Sequence, residues 1–155
     1  MDNPFMARAI RLAIENVDSG QGGPFGAVIV NDNRIVAEGA NRVTVSKDPT
    51  AHAEVIAIRQ ACRTLAVFEL KGCEIYTSCE PCPMCLGAIY WARLSRVYYA
   101  CLAADAAQAG FDDSLIYREI ARPHSERAIP MHPLMREQAL AAFQAWKDSA
   151  HKTAY

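Results

Sequence analysis

Residues 73–102, CEIYTSCEPCPMCLGAIYWARLSRVYYACL, carry the pattern that decides the fold. CEIYTS and RVYYACL read as strands, short runs rich in β-branched and aromatic residues. Between them CPMCLGAIYWA reads as a helix that opens beside proline. Upstream, PFGAVIV-NDN-RIVAEGAN (residues 24–41) is two apolar runs around an Asn/Asp turn, a hairpin signal. DPTAHAEVIAIRQACRTL (residues 48–65) follows as a helix whose opening chemistry comes from Asp48, Pro49 and Thr50. Phe5, Ala9, Leu12, Ala13 and Asn16/Val17 keep helical spacing, so residues from about 4 to 18 form a first helix, ended by SGQGG. Downstream come short helical pieces through Arg122, a small extended segment near Ile129, and a last helix from about Pro133. A hairpin followed by strands alternating with helices predicts an α/β fold, a three-layer α/β/α sandwich around a central mixed sheet. With no repeat or long linker, residues 1–155 are expected to be a single domain, its site in the loops at the strand ends.

Composition narrows the function. The 155 residues are 52% hydrophobic and 21% charged, ordinary for a globular chain. A net charge of −1 supplies no overall basic field, so neither nucleic acid nor an anionic membrane is an expected partner. MDNPFMARAIRLAIENV is amphipathic rather than a signal peptide, and no apolar run approaches the roughly 18 residues that span a bilayer. The expected location is cytoplasmic, where thiols stay reduced. Cys62, Cys73 and Cys101 then read as inert, packed thiols.

Cys79, Cys82 and Cys85 are equally spaced, and a disulfide, an iron–sulfur cluster and a metal site compete for them. A reducing compartment removes the disulfide. The cluster pattern wants a fourth cysteine at position 89 followed by proline, where this chain has Ile89 and Tyr90. A metal site remains. Cys82 and Cys85, at i and i+3, sit one above the other on a helix and can grip one ion. Cys79 ends the preceding strand and is read as a packed or supporting thiol. The other ligand is expected from TAHAE. On a helix body His52 and Glu54 would diverge, but in a first turn both reach past the helix end. H-x-E with a downstream P-C-x-x-C is the pattern of zinc nucleobase deaminases, in which one His and two Cys hold the metal and the Glu does not. The expectation is one zinc per chain on His52, Cys82 and Cys85, a fourth position left to water, and Glu54 as catalytic proton carrier for hydrolysis at an amidine carbon. His124, His132 and His151 have no ligand spacing and read as surface residues.

GGPFGAVIV, DPTAHAEV, YTSCEPCPMCLGAIYWAR, AGFDDS and the terminal FQAWKDSAHKTAY carry a wider likeness. With them the chain resembles the small bacterial-type guanine deaminases of the cytidine deaminase-like superfamily over nearly its full length. The zinc motifs are shared across that superfamily; the other stretches point to guanine. The resemblance implies a cytidine deaminase-like fold and conversion of guanine and water to xanthine and ammonia in purine catabolism or salvage. It implies Phe25 and Trp91 as stacking walls, with core packing as their alternative, and Asn41 facing a purine edge, with a strand-ending turn as its alternative. The backbone of Ala53 would face the ring, and Asp113 would bring a catalytic carboxylate to the substrate while Asp112 caps a helix. It also implies a homodimer that exchanges the C-terminal segment, about residues 130–155, across a hinge in ERAIPMHP, so that Tyr155 closes the neighbour's pocket.

Rival readings divide on features of the site. A tRNA adenosine deaminase shares both motifs but needs a basic path for an RNA stem-loop. A cytosine or guanosine deaminase would differ in pocket size. A non-catalytic zinc module would close the metal with a fourth protein ligand such as Cys79.

Overall fold

The computed structural model describes residues 3–155. In chain order the elements are α1 (Pro4–Asp18), β1 (Gly26–Asn31), β2 (Arg34–Ala40), α2 (Val43–Ser46), α3 (Ala53–Leu65), β3 (Glu74–Cys79), α4 (Pro83–Trp91), β4 (Arg96–Cys101), α5 (Ala103–Gln108), α6 (Ser114–Ala121) and α7 (Arg136–Asp148). The four strands form one mixed sheet in the order β2-β1-β3-β4. β1 runs antiparallel to β2 and β3, and β3 runs parallel to β4 across the α4 crossover. The strands, hairpin and crossover helix expected of residues 24–102 are therefore all present. Asp32 and Asn33 make the two-residue hairpin turn at φ 46° and 62°, a left-handed conformation that short polar side chains tolerate.

β1 is buried on both faces, which explains its unbroken apolar run. Alternate residues go to opposite layers. Ala27, Ile29 and Ile75 join the Ala53, Ala57 and Ala61 stripe of α3 and Ile89 of α4 on one side. Val28, Val30 and Tyr76 meet Ala9, Phe5, Met6 and Leu12 of α1 on the other. This is the three-layer arrangement read from the pattern. Asn3 caps α1 by accepting the backbone N–H groups of Phe5 and Met6 at 3.0 and 2.9 Å, with Pro4 in the first turn. The inward residue at the end of the α1 stripe is Asn16, while Val17 is half exposed.

Two strand glycines seat the helices. A Cβ at Gly26 would lie 2.3 Å from the Ala9 carbonyl oxygen, and one at Gly39 would lie 2.1 Å from that of Ala53 and 2.7 Å from the Ala57 nitrogen. Both obstacles are helix backbone, so α1 and α3 lie directly on the sheet. Gly39→Ala is expected to lift the first turn of α3 off β2 and to cost about 1–3 kcal/mol of stability. Because that turn carries His52 and Glu54, the variant should also hold metal less firmly. Urea unfolding and metal content check this; a variant of unchanged stability would contradict such close seating.

The carboxyl ends of β2, β3 and β4 and the start of β1 share one end of the sheet, set by the pairs Gly26–Ala40 and Cys79–Cys101. The chain falls into two compact units, one ending at Asp113 and the other Ser114–Tyr155. The second unit holds α6 and α7, with no buried residue in either. Residues 127–135 form no strand, which corrects the extended segment expected near Ile129, and α7 begins at Arg136 rather than near Pro133. Pro130 and Pro133 lack the N–H donors that a ladder needs. No described helix is long and apolar enough to cross a membrane.

Candidate metal centre and its surroundings

Two helix starts meet at this end of the sheet. His52 is the N-cap of α3 and Cys82 the N-cap of α4, both in extended backbone (ψ 154° and 167°) and neither spending its side chain on capping. Cys85 falls three positions into α4 and is fully buried; Glu54 falls two positions into α3 and is 7% exposed. First-turn placement thus lets His52 and Glu54, two residues apart, serve one site. The His52 Nδ1 lies 3.6 Å from the Cys82 Sγ and 3.5 Å from the Cys85 Sγ.

Those spacings test the fit of a metal. Tetrahedral zinc with S and N ligands at about 2.3 and 2.0 Å holds the S and N atoms about 3.5 Å apart. His52, Cys82 and Cys85 match this, with all three ligand atoms within 4.8 Å of one another. Among the described residues no other His, Cys, Asp or Glu joins the group. Three protein donors are the complement of a catalytic zinc, not of a closed structural one. Cys79 stands apart: its Sγ donates to the Leu102 carbonyl oxygen at 3.6 Å, and burial pushes its thiol up to about 11. That removes the fourth ligand proposed for a non-catalytic module. Cys85→Ser is expected to reduce bound zinc from one per chain to a small fraction after dialysis, whereas Cys79→Ser keeps it. Elemental analysis decides, and zinc loss from the Cys79 variant would break the assignment.

The electrostatics suit a cation. Hydrogen bonding from Cys85, with further help from His52, pulls the Cys82 thiol down to about 4. The same contact and burial push Cys85 up, since it is the proton donor of the pair. The Cys82 thiolate in turn raises His52. Both helix N-termini point partial positive charge at this cluster, which favours thiolate. Burial raises the Glu54 carboxyl, with the nearby Cys82 charge acting in the same direction.

The sequence singles out further residues as substrate contacts. Phe25 is half-buried, and its carbonyl oxygen accepts the Asn41 N–H at 3.0 Å. Asn41 is buried, and its Oδ1 accepts the N–H groups of Gly23 and Val43, which turns Nδ2 into its remaining donor. Ala53 is fully buried between ligand and acid. Asp113 is half-buried, and burial, followed by the Cys82 thiolate, raises its carboxyl. Trp91 ends α4, six residues past Cys85 or about 9 Å along the axis, is 64% exposed, and has the Arg93 guanidinium 5.8 Å from its ring. Tyr155 is 72% exposed in the second unit.

Three residues escaped the sequence reading. Asn16 is 3% exposed; its Nδ2 donates to the carbonyl oxygens of Gly23 and Asn41 at 2.9 and 2.8 Å, and its Oδ1 accepts from Arg42 at 2.7 Å. It fixes the backbone on which Asn41 stands. The available signal was an amide on the apolar stripe of α1. Phe111 packs edge-on against Phe25, with ring centroids 5.0 Å apart and planes at 87°. Glu80, between Cys79 and Cys82, accepts the Ala103 N–H at 3.1 Å.

Comparison with known proteins agrees with this geometry. The family model described as the cytidine and deoxycytidylate deaminase zinc-binding region matches residues 1–101. The chain is 59% identical over 151 residues to a guanine deaminase of Bacillus subtilis (strain 168), covering 97% of each. A crystal structure of guanine deaminase from Bacillus subtilis superposes with a TM-score of 0.96 at 58% identity, covering 100% of this chain and 99% of that one. A tRNA-specific adenosine deaminase of Aquifex aeolicus (strain VF5) is 42% identical over 98 residues, 63% of this chain and 64% of its own length.

Proposed function

Since the chain belongs to the cytidine and deoxycytidylate deaminase family and aligns over 97% of its length with a guanine deaminase, we propose that it hydrolyses guanine to xanthine and ammonia. The observation that carries this reading is the open three-donor group of His52, Cys82 and Cys85 with a buried carboxyl, Glu54, beside it. Zinc held there supplies the Lewis acidity that makes water nucleophilic near neutral pH. Glu54 does the proton work. Its carboxylate accepts the proton that water gives up on adding to C2 and delivers it to the ring nitrogen N3; it then takes the proton of the new C2 hydroxyl and gives it to the amino group, which leaves as ammonia while C2 becomes a carbonyl. Burial favours the neutral form of Glu54 while a cation favours the charged one, a balance suited to a group that must both take and give.

The purine is held by its edges and faces. Phe25, braced by Phe111, offers a ring face. The Asn41 Nδ2 donates to a purine acceptor, the backbone at Ala53 lies along the ring, and Asp113 accepts a hydrogen bond from N9–H. The charged groups that act on Asp113 are acidic, Asp112 and Glu80 besides the Cys82 thiolate. That is the opposite of the basic path an RNA backbone needs. The test is ammonia release from guanine, guanosine, cytosine, adenine and a tRNA stem-loop at equal concentration, with guanine expected to dominate. Turnover of the stem-loop above guanine would overturn the reading.

The working form is a cytoplasmic homodimer in which each C-terminal segment covers the other chain. The support is a second unit rich in exposed apolar side chains, Ile129 at 79%, Leu134 at 86% and Tyr155 at 72%, without a buried residue of its own in α6 or α7. Such surface calls for a cover. Tyr155 then closes the neighbour's pocket and excludes water. Six free cysteines suit a reducing compartment. Sedimentation should give the mass of two chains, and deletion of Ala154 and Tyr155 should impair turnover while sparing zinc. A fully active monomer would sink the exchange.

A further inference from the structure

Glu80 lies between two cysteines and is neither a metal ligand nor a proton carrier, yet its hydrogen bonds go to one short segment. Its N–H donates to the Cys101 carbonyl oxygen at 2.9 Å, and its Oε2 accepts the Ala103 N–H at 3.1 Å. Beside it the Cys79 Sγ donates to the carbonyl oxygen of Leu102. Residues 79–80, just before the ligand Cys82, are therefore clamped to residues 101–103, the start of α5. From Ala103 the chain is braced as far as the substrate loop. The Gly110 and Phe111 N–H groups donate to the Ala107 and Ala106 carbonyl oxygens at 3.0 and 2.9 Å, and the Phe111 ring abuts Phe25. Asp113 follows two residues later.

We propose that Glu80 is a positioning residue for substrate: by accepting the Ala103 N–H it sets the segment carrying Asp113 against the loop carrying Cys82. The inference rests on the reading of Asp113 as a guanine contact and adds the residue that fixes its distance from the metal. The chain of contacts is short and polar at one end, aromatic at the other, so a loss at Glu80 reaches Asp113 through α5 rather than through the metal. A carboxylate accepting a half-buried backbone N–H is among the stronger hydrogen bonds.

Glu80→Ala should keep one zinc per chain and raise the KM for guanine roughly tenfold, with kcat changed much less. Glu80→Gln keeps an acceptor oxygen and should restore KM to near the wild-type value. On an Asp113→Ala background, Glu80→Ala should add no further loss, because both changes remove one contact. Amide hydrogen exchange at Ala103 is a readout independent of activity: slow in wild type and in Glu80→Gln, fast in Glu80→Ala. Equal damage from Gln and Ala, additive losses with Asp113→Ala, or fast Ala103 exchange in the wild type would each overturn the proposal. If the wild-type protein left guanine untouched, the functional reading would fail by itself, and the exchange pattern would still decide the clamp.

Discussion

Glu54→Gln is expected to keep its zinc and its fold and to lose guanine turnover by at least about 10²–10⁴-fold, the usual worth of one general acid–base group. The greater loss is anticipated, because one carboxyl serves several proton transfers in a single turnover. Glutamine has nearly the same shape, and its oxygen can still accept hydrogen bonds in the Glu54 pocket. What it cannot do is take a proton from water or hand one to N3 and the leaving amine. Glu54 is buried and lies outside the metal group, so its replacement removes proton chemistry without removing a ligand. Metal content by elemental analysis and kcat on guanine are the two readings required. A zinc-replete Glu54→Gln protein with near-normal turnover would remove Glu54 from the mechanism.

Guanosine is expected to be turned over about 10⁴–10⁵-fold less efficiently than guanine, the range reached when a buried polar group loses its partner. A free base carries a proton on N9, and a nucleoside carries a sugar there. Asp113, which is half-buried, would accept a hydrogen bond from N9–H of the base and would face the sugar unpaired. Asp113→Ala should therefore weaken guanine use without loss of zinc and should narrow the gap to guanosine. The pH dependence follows from the direction of the shift. Burial raises the Asp113 carboxyl, so on acidification it takes up its proton sooner than an exposed aspartate. The KM for guanine should accordingly rise as pH falls through that elevated value and stay flat above it. Guanosine as the better substrate would place Asp113 elsewhere, with the zinc chemistry untouched.

The features legible in the sequence are those with local physical causes. Strand, helix and strand in residues 73–102 follow from short β-rich runs around a Pro-flanked helix start, and the observed β3, α4 and β4 fall on them. The ligand group was legible because each member sits in a helix first turn, which capping chemistry and i, i+3 spacing mark in a single sequence. Residues whose role lies in distant partners left no such mark. Asn16 reaches across 25 residues to the Asn41 carbonyl, and Glu80 across 23 to the Ala103 N–H. The short helix α2 left no clear signal either, since its four residues VTVS include three β-branched ones that resemble a strand. Near Ile129, apolar residues suggested an extended run that two prolines prevent from pairing.

The measurement that bears most directly on the whole account is the conversion of guanine by the purified protein stripped of metal and then titrated with zinc. The account predicts no turnover in the stripped protein and recovery that saturates near one zinc per chain, with xanthine and ammonia released in equal amounts. Guanine left unchanged by the zinc-loaded protein, or consumed equally well without metal, would contradict it.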